Sequence, residues 1–95
     1  MTKLDDSKIT EKLKAFTGWE LKDGQLVKTY RFADFMDAIQ AVNKVAIIAE
    51  SHDHHPDILI HYNQVTFTTS THDANGITEK DFKLIKDIES LAALH

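Results

Sequence analysis

An α+β domain with elements in the order α-β-β-α-β-β-α is the fold class that this 95-residue sequence predicts. Two observations carry it. Apolar residues recur at helical spacing in three separate stretches, and between them lie two stretches of strand-like alternation, each interrupted by a turn signal. Four strands and three helices in that order fit a four-stranded antiparallel sheet with the helices packed on one face.

The elements follow in turn. Leu4 to Phe16 reads as a short amphipathic helix with Asp5 or Asp6 near its start, and Ile9, Leu13 and Phe16 fall on one face. Gly18 ends it. Trp19 and Leu21 alternate with polar neighbours, Asp23-Gly24 is a hairpin turn, and Leu26 to Phe32 continues the alternation. Asp34 opens a long helix in which Phe35, Ile39, Val42, Ala46 and Ala49 are expected to face inward, with Val45 and Ile48 widening the stripe enough to meet a partner. Pro56 disfavours helical geometry at His55, so this helix should finish near Glu50 or Ser51 and leave His54-His55 on the exit turn. Ile58, Ile60 and Tyr62, then Val65, Phe67 and Thr69, give a second hairpin turning at Asn63-Gln64. Asn75-Gly76 marks another turn. Thr78 with Asp81 three residues later resembles a capping box before a helix carrying Phe82, Ile85, Ile88 and Leu91. A hairpin followed by Asp34-Phe35 and another followed by Asp81-Phe82 hint at an internal duplication. Trp19 and Tyr62 are expected to be core or sheet-packing residues, His52 and His61 to lie on the surface, and His95 to be an unordered end.

Length and composition bound what this chain can do. One domain over residues 1–95 is expected, and a chain of this size buries so modest a share of its surface that self-association would help complete the core. A net charge of −4 offers no basic surface for nucleic-acid phosphates. The absence of cysteine excludes disulfides, thiol catalysis and cysteine-ligated metals. No apolar run approaches a membrane span, and the first residues lack the apolar core of a signal peptide, so a cytoplasmic location is expected.

The chemistry concentrates in Glu50-Ser51-His52-Asp53-His54-His55-Pro56, with His72 after the last strand. Imidazole titrates near neutrality and both gives and takes protons, so several converging histidines point to proton transfer. Each residue also has a structural reading. His54 and His55 could be an exposed polar loop, His72 a turn residue, Asp81 a helix-start acid and Glu50 a solvated side chain, though an acid in a helix's last turn opposes the helix dipole.

The spacing Glu50-x3-His54-His55-Pro56-x5-Tyr62-x9-His72-x8-Asp81, together with Gly18-Trp19, Phe32-Ala33-Asp34-Phe35, Tyr62-Asn63, Thr71-His72-Asp73 and Gly76-Ile77-Thr78, resembles the pterin-4a-carbinolamine dehydratase family over nearly the whole chain. The resemblance implies dehydration of a 4a-hydroxytetrahydropterin to the quinonoid dihydropterin, as in tetrahydrobiopterin recycling, with no metal or other cofactor, in a homodimer or homotetramer. It implies catalytic roles for His54, His55, His72, Asp81 and Glu50, and a pterin lined by His54, His55, Pro56, Thr71, His72, Asp73 and Ala74. His55 and His72 are read as the main acid and base, His54 as positioning or sharing protons, and Asp81 as fixing an imidazole tautomer. The chain departs from the family at Ile58, where an aromatic residue is common, at Asn75, where glycine is frequent, and at Ile85-Lys86.

Two rivals stand beside that reading. A metalloprotein would draw on His52, His54, His55 and His72, but His-x-His-His has no standard zinc spacing. A noncatalytic dimerisation, assembly or coactivator module on the same fold would bind its partner through the second helix, Val45 and Ile48 included.

Overall fold

The computed structural model describes residues 2–92; the expectation for His95 lies outside them. The elements are α1 (Asp6–Leu13), β1 (Glu20–Lys22), β2 (Gln25–Arg31), α2 (Phe35–His52), β3 (Asp57–His61), β4 (Gln64–Thr69) and α3 (Glu79–Ala92), with a 3-10 turn at His72–Ala74. The order is the one the sequence predicts. All strands are antiparallel in the spatial order β1-β2-β4-β3, so the two hairpins meet through their second strands.

Local chemistry fixes the element ends. Asp5 and Asp34 cap α1 and α2, each carboxylate accepting from the backbone N–H three residues on at 2.8 Å. α1 is shorter than its apolar spacing suggests: after Leu13 the chain makes tight turns, with Phe16 N–H donating to Leu13 O at 2.9 Å. Asp23 (φ 52°) and Gly24 (φ 75°) both take the left-handed conformation that a two-residue hairpin turn requires.

The core lies between the sheet and the helices, joining Leu26, Val65 and Phe67 to Ile9, Ala41, Val45, Leu84, Ile85 and Ile88. Trp19 is buried there, edge-on to Tyr30.

Several expectations change. The inward stripe of α2 is Ala38, Ala41, Val45 and Ala49, while Phe35 is 46% exposed, Ile39 and Val42 are half-buried and Ala46 is exposed. Small side chains let α2 approach its neighbours closely, which turns bulkier residues outward. Val45, at 2% exposure, is core and cannot receive a partner. The second hairpin turns at Tyr62-Asn63 rather than Asn63-Gln64, because His61 pairs with Gln64; Tyr62 (φ 54°) is therefore an exposed turn residue instead of a core or sheet-packing one. Asn63 ties that turn to β2, its side-chain amide donating to Phe32 O at 3.0 Å. The duplication also loses its register: Asp34 caps α2 from outside, whereas Asp81 sits inside the first turn of α3, and Phe35 is exposed where Phe82 is buried.

Candidate active site

α2 delivers the histidine pair to one end of the sheet. Its last turn stops at Asp53, whose left-handed backbone (φ 49°) reverses the chain, and His54 N–H still donates to Ala49 O at 3.1 Å. The pair thus occupies the exit turn that Pro56 predicted.

Beneath His54 lies Asp81, with no solvent exposure. Its Oδ1 is 2.6 Å from His54 Nε2 and 2.7 Å from the Thr69 hydroxyl; its Oδ2 accepts from the Thr71 hydroxyl at 2.7 Å and from Thr78 N–H at 3.0 Å. Thr71 spends its proton on Asp81, so the 2.8 Å contact between Thr71 and Thr78 has Thr78 donating. Thr78 Oγ1 in turn accepts from Lys80 N–H at 3.2 Å, so of the predicted capping box the Asp81-to-Thr78 half forms, while the threonine hydroxyl caps the second helical N–H instead of the third. One carboxylate therefore caps α3 and holds an imidazole. With Nε2 committed to Asp81, His54 has only Nδ1 left to exchange a proton elsewhere.

His55 sits outside this network. Its Nε2 is 2.5 Å from Glu50 Oε2, and the pair is exposed, with 56% and 77% of the two side chains accessible. Glu50 thus reaches the site only through His55. His72, on the 3-10 turn, is exposed.

His54, His55 and His72 line one cleft of about 430 Å³, together with Asp53, Ser70, Thr71, Asp73 and Lys80. Of the remaining candidates, Pro56 and Ala74 lie outside that lining, and Asp81 stands behind it. Sequence reasoning missed Thr69 as a partner of the His54–Asp81 pair, and Ser70 and Lys80 as lining residues. The inward position of Thr69 in an otherwise apolar alternation was the available signal; Lys80 offered none.

His52, expected on the surface, is half-buried, its Nε2 2.7 Å from Asp87 Oδ2, pinning the end of α2 to α3. The four histidines that a metal site would require are divided: His52, His54 and His55 each face a different carboxylate. Among the described residues no group of three or more histidine and carboxylate side chains is placed to hold an ion. A separate hollow of about 460 Å³ between α1 and α3, floored by Phe16 and Phe82, contains none of the histidines.

Fold and site define a small α+β protein whose cleft gathers three imidazoles, one of them held from behind by a buried carboxylate. The family described as pterin 4 alpha carbinolamine dehydratase matches residues 2–91. A relative from Sulfurisphaera tokodaii, provisionally named a pterin-4-alpha-carbinolamine dehydratase, is 46% identical over 91 residues, spanning 96% of this chain and 98% of its own. Another so named, from Thermomicrobium roseum, is 45% identical over 93 residues, spanning 98% of this chain and all of its own. Among solved structures, one described as a transcriptional coactivator/pterin dehydratase from Brucella melitensis superposes with a TM-score of 0.92 at 34% identity, covering 96% of this chain and 99% of that one. A pterin dehydratase-like protein described as a RuBisCO assembly factor shares the fold, with a TM-score of 0.65 at 19% identity over 78% of this chain and 86% of its own. The chain belongs to the pterin 4 alpha carbinolamine dehydratase family.

Proposed function

We propose that this protein is a hydro-lyase that removes water from a 4a-hydroxytetrahydropterin by histidine acid-base catalysis, in the recycling of a tetrahydropterin. The observation that carries the reading is the convergence of His54, His55 and His72 on one cleft. The reaction breaks the C4a–O bond, releases the hydroxyl as water and removes the N5 proton, leaving a C4a=N5 double bond in the quinonoid dihydropterin. An acid must reach the hydroxyl and a base must take the N5 proton; two imidazoles with opposite protonation do both near neutrality.

His55 and His72, both exposed in the cleft wall, are assigned as the acid and base pair, and Glu50 holds His55 by one nitrogen. Hydrogen-bonded to Asp81, His54 keeps a fixed ring orientation and presents Nδ1, which suits positioning the substrate or sharing a proton. Asp81 is a positioning residue, since it has no exposure to the cleft.

A binding module is the second reading. Ile47 on α2 is 71% exposed and Leu59 on the edge strand β3 is 66% exposed, and neither lines the cleft of His54, His55 and His72. A homo-oligomer or a protein partner would use that surface, and it can coexist with catalysis.

The test is the conversion of a freshly generated 4a-hydroxytetrahydropterin to the quinonoid product, followed by ultraviolet absorbance with and without chelator. Acceleration that survives chelation supports the dehydratase; a folded protein that gives none sends the reading to partner binding.

A further inference from the structure

The hollow of about 460 Å³ between α1 and α3 shares no lining residue with the histidine cleft. Glu79, Phe82, Lys83 and Lys86 form one wall from positions i, i+3, i+4 and i+7 of α3, and Lys12 and Phe16 face them from α1 and the turn that follows it. Phe16 and Phe82 give it an apolar floor, their ring centres 5.8 Å apart and their planes inclined at 45°. The α3 wall runs for about two helical turns, or roughly 10 Å. The volume falls within the range of small-molecule sites, roughly 300–1,000 Å³.

The charges around that floor do not balance. Glu11 pairs with Lys14 at 2.9 Å, and Glu79 with Lys12 at 2.9 Å, which leaves Lys83 and Lys86 exposed in the lining. An acid three or four residues away on a helix ordinarily answers a lysine. Here Glu79 turns to α1, Asp87 meets His52 at 2.7 Å, and Glu89 is committed to Trp19, Lys28 and Tyr30. Among the described residues neither Lys83 nor Lys86 has an ion pair or a side-chain hydrogen bond. Two ammonium groups three positions apart on one helix face repel each other, and they are close enough to share an anion.

We propose that this hollow binds a small aromatic carboxylate, with its ring on Phe16 and Phe82 and its carboxylate held by Lys83 and Lys86. A tilted pair of phenyl rings takes a further ring by edge or offset contact. Lysine ammonium groups hold a carboxylate through charge-assisted hydrogen bonds. A neutral ring of the same shape leaves both cations unanswered, and a cationic one meets like charge. Since none of these residues lines the histidine cleft, the site is a second one and stands apart from the dehydratase reading.

The test titrates the isotope-labelled full chain with naphthoate and with its neutral counterpart naphthamide, following backbone amide shifts. Shifts are expected to cluster at Ala15, Phe16, Phe82, Lys83 and Lys86. Wild type should bind naphthoate more tightly than naphthamide by roughly 2- to 10-fold, the size of one or two exposed ion pairs. The double variant Lys83→Gln, Lys86→Gln should bind the two probes equally. Both lysines are exposed, so its spectrum should otherwise match that of wild type. No shifts in the hollow at millimolar probe, equal affinity for the two probes in wild type, or a preference that the double variant retains overturns the proposal. Shifts confined to His54, His55 and His72 would place the probe in the other cleft and overturn it as well.

Discussion

Asp81 Oδ1 lies 2.6 Å from His54 Nε2 although 27 residues separate them, and the same carboxylate accepts the capping N–H of Thr78 at 3.0 Å. The start of α3 and the orientation of a cleft histidine are thereby one structural feature, so damage to either is felt by both.

Asp81→Ala should therefore cost stability as well as activity. It strands the Thr78 N–H and the hydroxyls of Thr69 and Thr71 in a buried site. An unsatisfied buried donor costs about 1–3 kcal/mol, and the hydroxyls can reorient, so a loss of about 2–4 kcal/mol is expected in urea denaturation. Asp81→Asn keeps the shape and should recover part of the stability while activity stays low, because an amide cannot accept from all four neighbours.

The Glu50–His55 pair should behave in the opposite way. Both side chains are more than half accessible, so Glu50→Gln is expected to change stability by no more than about 1 kcal/mol. A lowered kcat with an unchanged melting curve is the expected outcome; a melting curve that falls with the rate would assign the pair a structural role.

Away from the site, Glu89 Oε1 gathers Trp19 Nε1 at 3.2 Å, Lys28 Nζ at 2.6 Å and the Tyr30 hydroxyl, fastening α3 to the sheet. Burial alone would raise the Glu89 carboxyl, but hydrogen bonds from Lys28, Tyr30 and Trp19 and the charge of Lys28 outweigh it and hold the carboxyl below its ordinary value of 4.5. Burial, with the Glu89 carboxylate beside it, pushes the Tyr30 phenol well above the usual tyrosine range. A carboxyl depressed in the folded state stabilises above its unfolded value and loses that contribution as pH falls through the folded one. Denaturation of wild type and Glu89→Gln should consequently differ most at neutral pH and converge as the pH drops well below 4.5. A gap that persists undiminished in acid would contradict the ionic account.

Self-association must be probed at exposed residues. Val45→Glu would bury a charge in the core and unfold the chain, whereas Ile47→Glu and Leu59→Glu alter side chains that are 71% and 66% exposed and should leave the monomer's stability within about 0.5 kcal/mol. Sedimentation that shifts to a smaller species in either variant, with dehydratase activity retained, would locate the contact.

Local signals were legible in the sequence because their chemistry is local. Asp34 as a helix cap, Asp23-Gly24 as a left-handed turn and Pro56 as the limit on α2 each act within a few residues. The rotation of α2 was not, since apolar bulk suggested Phe35 and Ile39 while close packing selected Ala38 and Ala41. Tyr62 was misplaced for a related reason: alternation continued one residue beyond the strand, and only the pairing of His61 with Gln64 fixes the turn. At the site, the histidines could be named from their spacing, yet which one meets Asp81, and that Thr69 joins them, depends on β4 lying between α2's exit and α3. The Glu89 cluster joins residues 59 to 70 positions apart and left no pattern in the sequence.

The most direct measurement is the dehydration rate of a 4a-hydroxytetrahydropterin with wild type and with His54→Ala, His55→Ala and His72→Ala, in chelator, each variant first shown to be folded. Loss of roughly two to four orders of magnitude in His55→Ala and in His72→Ala is the predicted result, the size expected for removing one general acid or base. Wild-type rates in both of those variants would contradict histidine acid-base catalysis in this cleft.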